Sequence, residues 1–514
     1  MKISIEVRET PTAWAIRKAN VPEEVRINLR SKLSVLDYMD QTEQALAYFE
    51  EGDFILLPKL KLETLKFLLK ANDLKIDKIE ADTEQSVKWN KIKVKPLEHQ
   101  VGVIYDAVTH FQNNVDKRVC LCAKPGFGKT YMSAAMVEKL RTKFVFIVYS
   151  AKLVQQTYES YCKYLGEDGL LIMKNSRMVE TVDWKSVKGL FMTHTMLQVI
   201  LKDYGIAKIL RMFTIEMGAG LKIIDEFDTH VKNLYWLECW GFFKYNLYLT
   251  GTKYKNLRPD DNIFQMIYRH AKTVGHNVKL PSNRHAILIN YKFCPTRREW
   301  YNMHMMQEKL FKIKYNDNIA RKDVLLDFIM KNYYKPEDSI IRKVVEGGDS
   351  VAIYAGRIAN CEIVKNKLVN HFGINPDDIG IYNSEVNAKN KAIAETKPWI
   401  VTTTDSIGRG YDNNKLRVLI FLEFNFGISS YEQNISRVAR VGGKEGWVIE
   451  GIDHSFPKIV ANYKKKVKED LYEDNYKDVV MNTVPDNYYQ YYYFGYRPNE
   501  EFAEEVRKQY AKKR

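Results

Sequence analysis

Residues 118–140 read RVCLCAKPGFGKTYMSAAMVEKL. An apolar run of β character, Arg118 to Ala123, meets a glycine-bearing turn, and a helix-compatible run starts at Tyr131. Strand, glycine turn and helix in that order are the setting a phosphate-binding loop requires. Gly126 and Gly128 let backbone N–H groups converge on phosphate oxygens. The N-terminus of the helix behind them favours negative charge. Lys129 can reach the β- and γ-phosphates of a nucleotide, and Thr130 can ligate Mg²⁺. Pro125, Gly126, Phe127, Gly128, Lys129 and Thr130 are therefore the candidate nucleotide contacts. Ala123 stands where the pattern GxxxxGK[ST] has its first glycine. The bland alternative, a glycine turn with an incidental Lys-Thr, does not account for the flanking strand and helix.

Working toward the C-terminus, Leu221-Lys222-Ile223-Ile224-Asp225-Glu226 is an apolar strand that ends in two carboxylates. Ligands of open α/β sheets bind at the carboxyl ends of the strands. Asp225 is placed to hold Mg²⁺, and Glu226 to polarise an attacking water. Alone, such an ending is more often a solvated turn. Here it follows the phosphate loop by roughly 95 residues, room for about three βα units of ~30 residues. The other strand candidates of this half are KFVFIVYS, GLFMTH and NLYLTG. A second series follows: SVAIYA, IGIYN, WIVTTT, RVLIFLEF and GWVIEGI. Helical patterns alternate with both series, so two mostly parallel sheets with helices on both faces are expected. The boundary falls near 280–335, and residues 298–332 look helical.

In the second series, Gln433-Asn434-Ile435-Ser436-Arg437-Val438-Ala439-Arg440 puts Arg437 and Arg440 three apart, on one face of a helix. Two guanidinium forks suit the charge that develops on a γ-phosphate. Alone, the run would read as an ordinary surface helix. With the phosphate loop and the paired carboxylates it describes a motor: nucleotide binds on one sheet, and cations from the second complete the site.

The chain has 514 residues, too many for one ordinary core, and 45% of them are hydrophobic, which excludes a disordered protein. It carries a net charge of +15. Residues 1–95 hold 17 basic and 16 acidic side chains, and residues 461–514 hold 11 and 10, which leaves +13 on residues 96–460. That field suits a polyanion, with nucleic acid foremost. No run is apolar enough to span a membrane, and the N-terminus does not read as a signal peptide. The cysteines at 120, 122, 162, 239, 294 and 361 form no CxxC pair, so neither a zinc site nor a disulfide framework is expected. A cytoplasmic protein is the expectation, in the host cytoplasm if the source is viral. Four segments follow. Residues 1–95 read as a small α+β accessory domain for DNA. In it MKISIEVRE is a strand, FILLPKL an edge strand or loop because of Pro58, and LETLKFLLKAND an amphipathic helix. DTEQSVKWNKIKVKP reads as a linker. Residues 96–285 and 286–460 hold the two sheets. Residues 461–514 form an extension containing Lys464-Lys465-Lys466, read as a solvated helix face, and the tyrosine-rich NYYQYYYFGY, read as packing.

Taken in order, these motifs resemble those of the superfamily 2 helicases, most closely the phage branch-migrating type, over roughly 96–455. Leu97-Glu98-His99-Gln100 is similar to the adenine-reading Q motif, with Gln100 as reader. Residues 123–130 match motif I in the form AxxGxGKT. Ser150-Ala151-Lys152-Leu153 and Thr193-His194-Thr195 resemble motifs Ia and Ic; Asp225-Glu226-Phe227-Asp228, motif II; Leu249-Thr250-Gly251-Thr252, motif III; Ile353-Tyr354-Ala355, motif IV. Residues 402–412 resemble motif V, and Gln433–Arg440 motif VI. The resemblance implies two RecA-like domains and ATP with Mg²⁺ as cofactors. It implies Lys152, His194, Thr195, Thr402 and Thr403 as contacts to the nucleic-acid backbone, and Gly410 and Asp412 on the nucleotide side. It further implies a monomeric DNA helicase or translocase on forked, branched or single-stranded DNA, moving 3′→5′, with replication or recombination proteins as partners. RNA unwinding, and duplex translocation without strand separation, are the alternatives. Two positions depart from the family: Asp228 replaces the His of the phage group, and Ser436 the usual Gly. Outside the motor no nuclease constellation is evident, which argues against a restriction-enzyme subunit. Phe227, Trp399 and Tyr411 lie near motifs, with core packing as the expected role.

Overall fold

The structure, a computed structural model, describes residues 4–9, 13–36, 43–46, 48–58, 62–78, 85–114, 116–124, 126–227, 237, 243–251, 268, 271–276, 282–293, 297–407, 413–438 and 443–485. The chain divides into two compact units, Met1–Val278 and Lys279–Arg514.

The first unit opens with strands β1 (Ser4–Glu9), β2 (Ala13–Arg17), β3 (Ser34–Leu36), β4 (Glu43–Leu46), β5 (Phe49–Glu51), β6 (Phe54–Pro58) and β7 (Asp73–Lys78). Five of them form a mixed sheet of order β5-β6-β2-β1-β7. Alternation fixes its faces: Ile5, Val7, Trp14, Ile16, Ile55 and Leu57 are buried together with Leu29 and Leu65 of the helices Glu23–Leu33 and Leu62–Leu68. The stretch FILLP is an interior strand rather than an edge. Pro58 is tolerated because β5 pairs β6 only from Phe54 to Leu56, so the proline lies beyond that ladder.

Next come β8 (Arg118–Cys122), β9 (Lys143–Val148), β10 (Leu170–Ile172), β11 (Gly189–Thr193), β12 (Ala219–Asp225), β13 (Tyr245–Thr250) and β14 (Lys272–Val274). They form one parallel sheet of order β10-β11-β9-β12-β13-β8-β14. Buried side chains of this sheet and of the N-terminal module belong to one continuous apolar cluster, so the module is fused to its neighbour. The expected linker is likewise anchored. Ser86 bridges Thr142, Val87 N–H donates to Arg141 O at 2.8 Å, Trp89 Nε1 to Thr142 O at 3.1 Å, and Tyr131 Oη to Val94 O at 2.8 Å.

The second unit holds β15 (Arg284–Tyr291), β16 (Ser350–Tyr354), β17 (Ile379–Tyr382), β18 (Trp399–Thr402), β19 (Leu416–Phe421), β20 (Gly446–Asp453) and β21 (Asp478–Thr483), all parallel, in the order β17-β18-β16-β19-β20-β15-β21. Numbered from its own first strand, each large sheet has the same order, 3-4-2-5-6-1-7. The fold is thus two parallel-sheet α/β domains and a small mixed sheet, as the alternating pattern implies. Several boundaries differ from expectation. Residues 284 and 285 already belong to β15, which pairs β20 and β21 of the second sheet. Residue 460 falls inside the helix Pro457–Lys468, and β21 completes the second sheet, so residues up to 485 are part of this domain. The expected helical stretch 298–332 is three helices, Arg297–Met305, Glu308–Asp317 and Ile319–Tyr333, and a fourth, Ile340–Glu346, precedes β16. Among the described residues no helix is long and apolar enough to cross a membrane.

Candidate active site

The carboxyl ends of β12, β13 and β8 are level. Asp225 pairs Leu249, and Thr250 pairs Cys122. The loop after β8 is tied to β13 by the Ala123 N–H donating to Thr250 O at 3.0 Å. Within that loop Gly126 and Gly128 both have φ +85°, a conformation that favours glycine. Gly128 is the N-cap of the helix Lys129–Leu140, so the backbone N–H groups of the first turn face the loop. Lys129, nearly buried, places its Nζ 3.9 Å from Glu226 Oε1. Glu226 follows β12 directly with φ +49°, a left-handed conformation strained in a non-glycine residue; its N–H donates to Asp225 Oδ1 at 3.1 Å.

Gln100, on the helix Glu98–Asn113, is buried behind the loop. Its Oε1 accepts from Leu97 N–H and its Nε2 donates to Phe127 O, each at 3.0 Å. Phe127 is buried, with its ring 4.5 Å from that of His99 in an edge contact. The carboxamide therefore binds the phosphate loop itself, a role the sequence reading did not assign.

The loop fits a nucleotide phosphate: two glycines of positive φ, a helix N-terminus and an ammonium lie together after β8. Thr130 Oγ1 and the Asp225 carboxylate are hard oxygen donors, the chemistry Mg²⁺ takes.

In the second domain the helix Ile428–Ile435 is followed by a turn, so Arg437 lies past the helix end rather than on a helical face. The turn is held by Arg437 N–H to Asn434 O and Val438 N–H to Ile435 O, both at 3.1 Å, and by Ser436 Oγ to Gln433 O at 2.7 Å. Tyr354 Oη fixes Asn434 by donating to its Oδ1 at 2.8 Å. Arg284 Nη1 donates to Ile435 O at 3.2 Å, a cation on the C-terminal end of the helix. Burial holds that guanidinium below its ordinary pKa.

Two family models match the chain. Residues 93–254 match "Type III restriction enzyme, res subunit", and residues 337–442 match "Helicase conserved C-terminal domain". The chain is a superfamily 2 helicase.

A helicase of this kind hydrolyses ATP and binds nucleic acid. No curated protein sequence matches it. Among solved structures, a fragment of a putative HsdR subunit of a type I restriction enzyme from Vibrio vulnificus YJ016 is similar at a TM-score of 0.52 and 14% identity, covering 76% of this chain and 69% of that one. At that identity the likeness is one of fold. Weaker likenesses are S. cerevisiae Dbp5 bound to RNA and ADP BeF3 (TM-score 0.46, 12% identity, 77% and 95% covered) and T4 UvsW (TM-score 0.35, 12% identity, 94% and 99% covered).

The helicase's other expected site residues divide by location. Lys152 and Thr195 are exposed, each in the first turn of a helix, Ala151–Leu165 and His194–Arg211, that follows β9 and β11. Ser150 Oγ and Thr193 Oγ1 cap these helices by accepting from Leu153 N–H at 3.4 Å and Met196 N–H at 2.9 Å. Since β9 lies between β11 and β12 in the sheet, these residues share a sheet edge with Asp225. His194, Thr402 and Thr403 are buried instead. Thr402 Oγ1 donates to Tyr382 O at 2.6 Å, and Thr403 Oγ1 lies 2.8 Å from Ser406 Oγ. These three side chains are packed inside their domains and present no surface to a phosphate. Phe227 and Trp399 are core residues. Pro125, Asp228, Gly410, Tyr411, Asp412, Arg440 and the tyrosine run Asn487–Tyr496 lie outside the described residues. In the lysine run, Lys464 and Lys465 are exposed. Lys466 is buried, its Nζ 2.8 Å from Glu450 Oε1, 4.1 Å from the centre of the Tyr431 ring and 4.6 Å from that of Phe424. Its sequence neighbours gave no sign of this.

Proposed function

We propose that this helicase is an ATP-driven DNA translocase that unwinds or branch-migrates forked and junction DNA, moving 3′→5′. In this reading the loop residues Pro125, Gly126, Phe127, Gly128, Lys129 and Thr130 hold the ATP phosphates, and Gln100 links adenine recognition to the loop. Thr130 and Asp225 hold Mg²⁺, which screens phosphate charge. Glu226 takes the proton of the attacking water. Arg437 and Arg440 supply positive charge to the γ-phosphate, with Gly410 and Asp412 on the nucleotide side. Lys152 and Thr195 contact the strand backbone. Such contacts give affinity without sequence preference, which a moving protein requires.

One observation carries the reading: a single sheet edge bears Lys129, Asp225 and Glu226 at one part and the exposed Lys152 and Thr195 at another. Chemistry at the first can thereby bear on grip at the second. DNA is favoured over RNA by the match of residues 93–254 to a restriction-enzyme subunit. The field of +13 on residues 96–460 suits either polymer.

The test is phosphate release titrated with single-stranded, duplex, forked and four-way DNA, and with RNA. Stimulation by forked or four-way DNA above single strands supports the reading. Stimulation by RNA alone turns it into the RNA alternative. Stimulation by blunt duplex without strand displacement makes the protein a duplex translocase.

A further inference from the structure

The N-terminal sheet buries one face under its two helices and exposes Glu6, Arg17, Lys75 and Asp77 on the other. Strand alternation puts Glu6 and Arg8 of β1, Ala15 and Arg17 of β2, Phe54 of β6, and Lys75 and Asp77 of β7 on that second face. Ala15 pairs Arg8 across one ladder and Leu56 across the other. Its short side chain among long ones leaves a pit of about 290 Å³, lined by these residues and Asn20. Phe54 is half-buried at the rim, packed on Ala15 and Leu56. The Arg8 guanidinium lies 5.6 Å from the centre of its ring and 3.8 Å from Asp77. Arg17 and Lys75 are exposed and have no ion-pair partner among the described residues.

A sheet that offers one aromatic ring, from which an incoming base displaces the Arg8 guanidinium, two cations with no ion-pair partner among the described residues and two carboxylates matches a nucleotide of a single strand. Aromatic rings stack on bases, and cations track the flanking phosphates. A carboxylate accepts from an exocyclic amino group, which adenine and cytosine carry and thymine lacks. We propose that this face is a subsite for single-stranded nucleic acid. Phe54 stacks on a base, Arg17 and Lys75 hold adjacent phosphates, and Glu6 and Asp77 accept from the base's amino group. The inference rests on the motor reading for the presence of a strand and assigns it a contact outside the motor sheets.

The test is fluorescence anisotropy of labelled dC and dT 15-mers with the full chain, without nucleotide, over a salt series. Arg17→Gln/Lys75→Gln is expected to weaken dC binding about tenfold and to make the slope of log K against log salt shallower by about 1.4, the value for two lost single-strand contacts. Phe54→Ala should weaken binding by a similar factor, and Phe54→Tyr should restore it. The unaltered chain should favour dC over dT, and Glu6→Gln should reduce that preference. If the chain binds both oligonucleotides but the double variant matches it in affinity and slope, the inference is overturned, the motor reading stands, and the face is left to a protein partner. If the unaltered chain binds neither the DNA 15-mers nor an RNA 15-mer, both readings fall.

Discussion

Lys129 Nζ stands 3.9 Å from Glu226 Oε1, so the ammonium of the glycine loop and the carboxylate after β12 share one space. In the proposed reading a γ-phosphate in that space takes the ammonium as its partner, and the carboxylate faces the attacking water. Glu226→Gln keeps the shape and removes the base. It should lower ATP turnover by about 10²- to 10⁴-fold, the usual contribution of a positioned general base, with ATP affinity unchanged or tighter. Phosphate release and a nucleotide titration on the same variant check this. Normal turnover would remove Glu226 from the reaction.

Gly128 is the position of the loop where an added side chain must displace another. Its φ is +85°, and a Cβ there would lie 2.4 Å from Gln100 Nε2. Gly128→Ala therefore strains the backbone and displaces the carboxamide that donates to Phe127 O. ATP affinity should fall at least tenfold. Gly126→Ala meets only the backbone penalty, because nothing lies within 4 Å of its Cβ position, and should be milder. Parallel nucleotide titrations of the two variants rank them; equal losses would mean that the contact with Gln100 contributes nothing.

These two residues also show what the sequence discloses. Spacing alone placed Lys129 and Glu226 on one sheet edge, because strand, turn and helix are local signals and the carboxyl edge of a parallel sheet is where such turns gather. Five strands of each large sheet were legible as apolar runs. The missed β10 and β14 have three residues each, too few for a periodicity; β15 and β21 carry polar residues among the apolar ones. Long-range choices were illegible. Arg437 and Arg440 at a spacing of three fit a helix, yet Ser436 and Arg437 form a turn after Ile435. Likewise Lys466 differs from Lys464 and Lys465 only in its side of the helix, and the residue it meets, Glu450, lies in another element.

That buried pair gives a stability prediction. Lys466 and Glu450 are both out of solvent at 2.8 Å, and Tyr472 Oη donates to Glu450 Oε2 at 3.3 Å. Lys466→Met leaves a carboxylate buried without its counterion and should cost about 3–5 kcal/mol. Lys466→Met/Glu450→Leu removes both charges and should recover most of that loss. Urea unfolding monitored through the second domain distinguishes them. A double variant no better than the single one would mean that packing, rather than the unpaired charge, sets the cost.

Asp453, the last residue of β20, is buried; its Oδ1 accepts from Ser455 N–H at 2.9 Å and Phe293 N–H at 3.3 Å. Burial pushes its carboxyl up to about 6 from 3.8, against the hydrogen bonds and the Arg321 charge that pull it down. The folded value lies above the unfolded one, so the folded state holds the proton more tightly. The stability this contributes is full below pH 3.8 and is lost as pH rises through about 6, a difference of about 3 kcal/mol. Asp453→Asn keeps an acceptor at Oδ1 and does not titrate. Relative to the unaltered chain it should therefore gain stability between pH 4 and pH 7, and the gain should level off above about 7. Denaturant midpoints of the two proteins across pH 4–8 check this. A difference between them that stays constant with pH would mean that Asp453 is ionised throughout, with Arg321 outweighing the cost of its burial.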